Sequence, residues 1–79
     1  MFHERVKVIE HGPDGTDSVI GERVWSSAYG GSRGPSAYVR GSYLELVGED
    51  VEVEISGAEW RLDSPDGRYS WVATWESGI

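Results

Sequence analysis

The sequence contains no cysteine among its 79 residues. This excludes disulfides and thiolate metal sites, which often stabilise chains of this size. A domain this small buries a modest fraction of its surface, so a single hydrophobic core is the most that the chain can build. We therefore expect one domain over residues 1–79, stabilised by its own packing or by neighbouring molecules.

Long hydrophobic runs are also lacking. The apolar runs last only a few residues, whereas a membrane-spanning helix needs about 20. The first residues, Met1–Val6, contain neither the basic stretch nor the apolar run of a secretory signal. We expect a soluble protein that is not exported.

Basic residues are scarce, with 7 Lys and Arg against 14 Asp and Glu and a net charge of −7. Residues 1–40 carry five acids and five bases, so the whole charge excess lies in residues 41–79, with nine acids and two bases. Neutralisation of phosphates requires clustered Lys and Arg, so this distribution argues against direct nucleic-acid binding. The acidic half is interpreted as a solvated face, or as a surface that repels or mimics DNA.

No window of the sequence shows the apolar spacing of a helix, and glycine or proline interrupts almost every candidate. Alternation of apolar and polar residues instead predicts strands. The segment 37–47 is predicted as one strand bent at Gly41 or as two short ones. We predict an all-β fold, a small antiparallel barrel or sandwich of about six strands. The predicted strands cover residues 4–9, 18–26, 37–47, 50–55, 58–63 and 68–76.

Glycine and serine dominate residues 27–36, where only Tyr29 and Arg33 carry large side chains. Such a composition is typical of a flexible loop that becomes ordered when it docks against a partner. We therefore predict a flexible connector here rather than a phosphate-binding loop, which would require a lysine and a following helix.

The sequence gives little support for catalysis. Its two imidazoles, His3 and His11, flank the first predicted strand without a nucleophile motif, and we interpret them as ordinary surface histidines. Glu52, Glu54 and Glu59 alternate on the polar side of a predicted hairpin, where carboxylates are usually solvated. Asp14 and Asp17 are too few ligands for a dedicated calcium site. We predict no enzyme activity, no catalytic residue, no cofactor and no metal.

Aromatic residues are abundant near the end of the chain. Trp60, Tyr69, Trp71 and Trp75 fall on one side of two successive predicted strands. Exposed, these rings would form a stacking platform for sugars or single-stranded nucleic acid. We favour the interpretation that they fill the core, because the chain has few other large apolar residues and its net charge is negative.

The chain begins with a predicted strand at His3–Ile9, which is followed by a Gly-Pro-Asp-Gly loop and a second strand. A late hairpin follows over Asp50–Pro65. This order resembles the small head-to-tail connector proteins of tailed bacteriophages, the stopper or head-closure class. The resemblance covers about half of the chain.

The resemblance implies a structural virion protein, a β-barrel subunit that joins the phage head and portal to the tail through protein contacts in a ring. Its partners would be portal, adaptor or tail proteins or further copies of itself, located in the virion and, during assembly, in the host cytoplasm. The alternative is an acidic phage-encoded inhibitor or DNA mimic that binds a host nucleic-acid-binding protein through the acidic residues of 45–54. We expect the partner-binding residues to be Tyr29, Arg33, Tyr38, Glu52, Glu54 and Trp75.

Overall fold

The structure, a computed structural model, describes residues 2–27, 33–55 and 59–77. These residues form one antiparallel sheet of four strands in the order β2-β1-β4-β3, with one helix. The prediction of a mostly β, antiparallel protein is confirmed. In chain order the elements are β1 Phe2–His11, β2 Asp17–Ser27, α1 Arg33–Val47, β3 Glu59–Asp63 and β4 Tyr69–Ser77.

Two tight turns connect the neighbouring strands, as their sequences predict. Between β1 and β2, the Asp14 carboxylate accepts the Thr16 N–H at 3.1 Å, and Gly15 adopts a φ of 83°. These backbone hydrogen bonds lower the pKa of Asp14, so this aspartate fixes a turn. Between β3 and β4, Gly67 adopts a φ of 72°, which favours glycine.

One face of the sheet is apolar and forms the core with α1. Val6 of β1 lies between Arg23 and Ala73, and Val8 lies between Gly21 and Trp71. Because side chains alternate along a strand, Val6 and Val8 of β1 fall on the same face as Trp71 and Ala73 of β4. The core consists of Val6, Val8, Val39, Tyr43, Ile55, Trp71 and Ala73.

Helix α1 covers this face. Val39 and Tyr43 are one helical turn apart and both are buried. The ring centroids of Tyr43 and Trp71 are 5.0 Å apart, and the Trp71 indole N–H donates to the Ser42 hydroxyl at 2.9 Å. The helix ends before Gly48, whose φ of 85° lets it act as a C-terminal cap.

The predicted barrel of about six strands is wrong in two respects. Within the described residues the sheet is open, and the segment 37–47 is helical. The helix tolerates Pro35 because proline fits the first turn, and it tolerates Gly41 because the buried side of α1 supplies the stability. The prediction of a flexible loop over 27–36 is wrong for residues 33–36, which form the first turn of α1. Residues 28–32 lie outside the described residues.

The predicted strand at 50–55 is not part of the sheet. Its alternation is nevertheless reflected in burial, because Val51, Val53 and Ile55 pack toward the core while Glu52 and Glu54 are exposed. The segment has no regular secondary structure, and among the described residues β3 pairs with β4. The predicted hairpin turn, residues 56–57, lies outside the described residues.

Candidate functional site

A polar network joins all four strands at one end of the face that α1 does not cover. The Nδ1 atom of His11 lies 2.7 Å from Oδ1 of Asp17, and its Nε2 atom lies 2.6 Å from Oγ of Ser70. The Ser70 hydroxyl donates to Oδ1 of Asp63 at 2.6 Å. Arg61 donates to Asp63 at 3.0 Å and to Ser70 at 3.2 Å.

The number of protons available to the hydrogen bonds of this network determines which ring nitrogens of His11 act as donors. The one hydroxyl proton of Ser70 is donated to Asp63, so Nε2 of His11 must be the donor in its contact with Ser70. The Asp17 carboxylate accepts only, so Nδ1 must donate as well. Both ring nitrogens of His11 therefore take part in the network.

The side chains of Asp17, His11 and Ser70 follow one another at the hydrogen-bond distances of a catalytic triad. A nucleophilic serine needs an accessible oxygen whose proton passes to the histidine. Ser70 is only 1% exposed, and its proton is held by Asp63. The Ser70 hydroxyl and the Arg61 guanidinium lower the pKa of Asp63 and keep it an acceptor. The network links the four strands by side-chain hydrogen bonds. His11 is hydrogen-bonded on both ring nitrogens and is not the ordinary surface histidine that the sequence predicted.

A second unusual group is the carboxyl of Glu4 on the face covered by α1. Glu4 is 3% exposed, opposite Trp25 of β2 and Trp75 of β4. Its Oε1 atom has no hydrogen-bond partner among the described residues. Burial raises the pKa of this carboxyl, because a low-dielectric surrounding disfavours its charged form.

Strand β2 forms one edge of the sheet, with a partner strand on one side only in the described part of the chain. Three of its apolar side chains are exposed, Val19 by 56%, Ile20 by 47% and Val24 by 49%. The pairing with β1 shifts register here, since Val8 faces Gly21 while Ile9 faces Val19, which leaves Ile20 as an extra residue. This edge is both apolar and open to strand pairing.

A groove of about 260 Å³ opens beside this edge, between β2 and α1. Gly21 lets Tyr38 of α1 approach β2 closely at this groove, because a Cβ atom at Gly21 would lie 2.6 Å from the Tyr38 hydroxyl. At one end, the Arg23 guanidinium lies 5.9 Å from the centroid of the Tyr38 ring. The groove is lined by Val8, Ile20, Gly21, Tyr38, Ser42, Glu45 and Leu46.

Exposed carboxylates extend from the end of α1 into the segment that follows it. Arg40 lies among them and donates to Asp50 at 3.1 Å. Arg40 also lines a separate groove with Glu52 and Glu54. The exposed acids of this surface are Glu45, Glu49, Asp50, Glu52 and Glu54.

The predicted partner-binding residues do not come together at one site. Tyr38 lines the groove beside β2, whereas Glu52 and Glu54 line the separate groove with Arg40. Trp75 is half-buried beside Glu4 on the α1 side. Arg33 is the first residue of α1, and Tyr29 lies outside the described residues.

Sequence reasoning missed the β2 edge and the His11 network. One feature of the sequence indicated an exposed apolar edge, because apolar residues lie on both faces of this predicted strand. These residues are Val19, Ile20 and Val24. Nothing local in the sequence links His11 to Ser70. The interpretation of the aromatics as core residues is confirmed for Trp71, which is fully buried, while Trp60 is half-buried.

No group of three or more His, Asp or Glu side chains in residues 2–27, 33–55 and 59–77 could hold a metal ion. The helix within this part of the chain is neither long nor apolar enough to cross a membrane.

Comparison of the chain with protein-family models, with curated proteins and with solved structures finds no match.

Proposed function

We propose that this chain is a non-catalytic assembly subunit that accepts a strand from a neighbouring protein at its β2 edge. The class that its sequence resembles, the phage head-to-tail connectors, gives this proposal its setting, a ring of copies between portal and tail. The observation that carries the proposal is the open, apolar β2 edge.

The chemistry of a strand edge supports this function. An unpaired strand presents a row of backbone N–H and C=O groups that can hydrogen-bond to an incoming strand. Edges are often protected by being short or charged. β3, the other edge, has five residues and carries Glu59, Arg61 and Asp63. β2 also carries three charged residues, but it is eleven residues long and exposes Val19, Ile20 and Val24, so it is the edge better suited to pairing.

The arrangement of strand directions is compatible with a ring. All neighbouring strands are antiparallel, and their number is even, so the two edge strands run in opposite directions. An identically oriented neighbour can therefore place its β3 strand against the β2 edge, and the new pair is antiparallel like the pairs within the sheet. Repeated head-to-tail contacts of this kind close into rings when the rotation permits it.

Native mass spectrometry of the chain co-expressed with the products of adjacent reading frames tests the proposal. We expect a complex that contains several copies, and we expect Ile20→Lys to abolish it by placing a charge at the edge. Leu44→Lys is the matched control, because Leu44 is 51% exposed on α1 and does not line the β2 groove. A chain that stays monomeric and binds none of these products would contradict the proposal.

The acidic surface favours a second candidate, an inhibitor that mimics DNA. Five carboxylates lie exposed between residues 45 and 54, and those of Glu52 and Glu54 flank one groove. The double change Glu52→Lys and Glu54→Lys separates the two functions. An inhibitor would lose its basic target, whereas an assembly subunit that uses the β2 edge would still form its complex.

A further inference from the structure

We infer that the groove beside β2 selects an antiparallel partner strand with an acidic, an apolar and a basic residue at alternate positions, in that order. This inference rests on the proposed function and specifies the partner's chemistry. Side chains at alternate positions of an added strand point to the same face of the sheet, so three of them would face the groove and its two ends.

The centre of the groove is suited to an apolar side chain. Ile20 on one wall and Leu46 on the other are exposed by 47% and 37%, respectively. The groove that these two residues line has a volume of about 260 Å³. Cavities of roughly 150 Å³ already accommodate benzene, so a leucine-sized group fits here. Such a group would remove both exposed side chains from water.

Opposite charges lie at the two ends of the groove. Gly34 of α1 contacts Trp25, and Tyr38 contacts Gly21, so α1 runs antiparallel to β2. Arg23 therefore lies toward the beginning of α1, where it packs over the Tyr38 ring at 5.9 Å. Glu45 lines the groove toward the end of α1 and is the one charged residue among its described lining residues.

These charges set the direction of the partner. An antiparallel strand enters at the Arg23 end and leaves at the Glu45 end. Its first groove-facing residue then meets a guanidinium and its third meets a carboxylate. Opposite charges across neighbouring strands are favourable and like charges are unfavourable, so acidic-to-basic order is preferred over the reverse.

Two synthetic peptides of identical composition test this inference. The first is Thr-Glu-Thr-Leu-Thr-Lys-Thr, and the second exchanges its Glu and Lys. Titration of the full isotope-labelled chain by NMR measures both affinities and maps the contact. We expect the first peptide to bind about five-fold more tightly, the order expected of two exposed charge pairs. We also expect it to shift the amide signals of residues 19–24 and 45–46.

The double variant Arg23→Glu and Glu45→Lys should invert the preference. The control, Arg40→Glu with Glu49→Lys, makes the same charge changes outside the groove and should leave the preference as it is. Dispersed amide signals establish that each variant is folded.

Equal binding of both peptides, binding of neither, or shifts confined to other residues would overturn the inference. The proposed function would survive these results if Ile20→Lys alone still abolished the native complex. Conversely, the chain could bind the first peptide selectively yet form no complex with the products of adjacent reading frames. That result would support the groove specificity and contradict the connector function.

Discussion

The Nε2 atom of His11, the last residue of β1, lies 2.6 Å from the Ser70 hydroxyl in β4, although 59 residues separate the two along the chain. Ser70 is the centre of the polar network, since its oxygen also meets Asp63 and Arg61. One buried hydroxyl thus holds side chains from both neighbouring strands. The stability of this end of the sheet depends on it.

We predict that Ser70→Ala lowers the free energy of unfolding by about 1–3 kcal/mol, because it leaves partly buried polar groups without their partner. Urea unfolding at neutral pH measures the change. Ser18→Ala, at an exposed position of β2, serves as the control and should change the stability by less than about 0.5 kcal/mol. Equal effects of the two substitutions would contradict a central role for Ser70.

We predict that Asp63→Asn flattens the acid limb of the stability curve. The hydroxyl of Ser70 and the guanidinium of Arg61 lower the pKa of Asp63 below its ordinary value of 3.8. The stability that Asp63 contributes is therefore fully present above pH 3.8, and it is lost as the pH falls through the folded-state pKa. Urea unfolding between about pH 5 and pH 2 measures this. Identical slopes for the variant and the unmodified chain would count against the assignment.

We predict that Glu4→Gln stabilises the protein at neutral and alkaline pH but not in acid. Burial raises the pKa of Glu4 above 4.5, so its contribution to stability is present below pH 4.5 and is lost as the pH rises through the folded-state pKa. Glutamine keeps the shape and removes the titration. Urea unfolding at about pH 4 and pH 8 compares the two chains, and Glu49→Gln, which is exposed, is the control. A gain of equal size at both pH values would refute the explanation.

We predict opposite effects for two alanine substitutions in α1. A Cβ atom at Gly34 would lie 2.7 Å from Nε1 of Trp25, so Gly34→Ala should lower the stability by about 1–3 kcal/mol. Nothing lies within 4 Å of a Cβ atom at Gly41, so Gly41→Ala should raise the stability by about 1 kcal/mol through helix propensity. Thermal unfolding followed by circular dichroism measures both. An increase for Gly34→Ala would show that Trp25 moves freely.

Local patterns predicted much of the sheet. The alternation of Val6 and Val8 in β1, and of Trp71 and Ala73 in β4, correctly identified the apolar face, because the side-chain period of a strand is a local property. The turns around Gly15 and Gly67 are local features in the same sense, since their residue types favour the required backbone angles.

The helix was missed because its local signals conflict. Val39 and Tyr43 are spaced by one turn, but Gly41 lies between them and Gly34 and Pro35 precede them. These residues weaken an isolated helix, so the helical state depends on burial against the sheet. The groove that we propose as a binding site was likewise not predictable, because Gly21 and Glu45 come together only through this packing.

Local sequence signals identify the segments of all four strands, although they also assign strands to residues 37–47 and 50–55, which are not strands. They also identify two of the chain reversals and the concentration of acidic charge in the second half. These follow from side-chain period, turn chemistry and composition, which act over a few residues. Long-range packing, in contrast, makes residues 33–47 helical, leaves the sheet open at β2 in the described part of the chain and brings His11 to Ser70. Those outcomes depend on contacts between residues far apart in the chain, whose energies no short window of sequence contains.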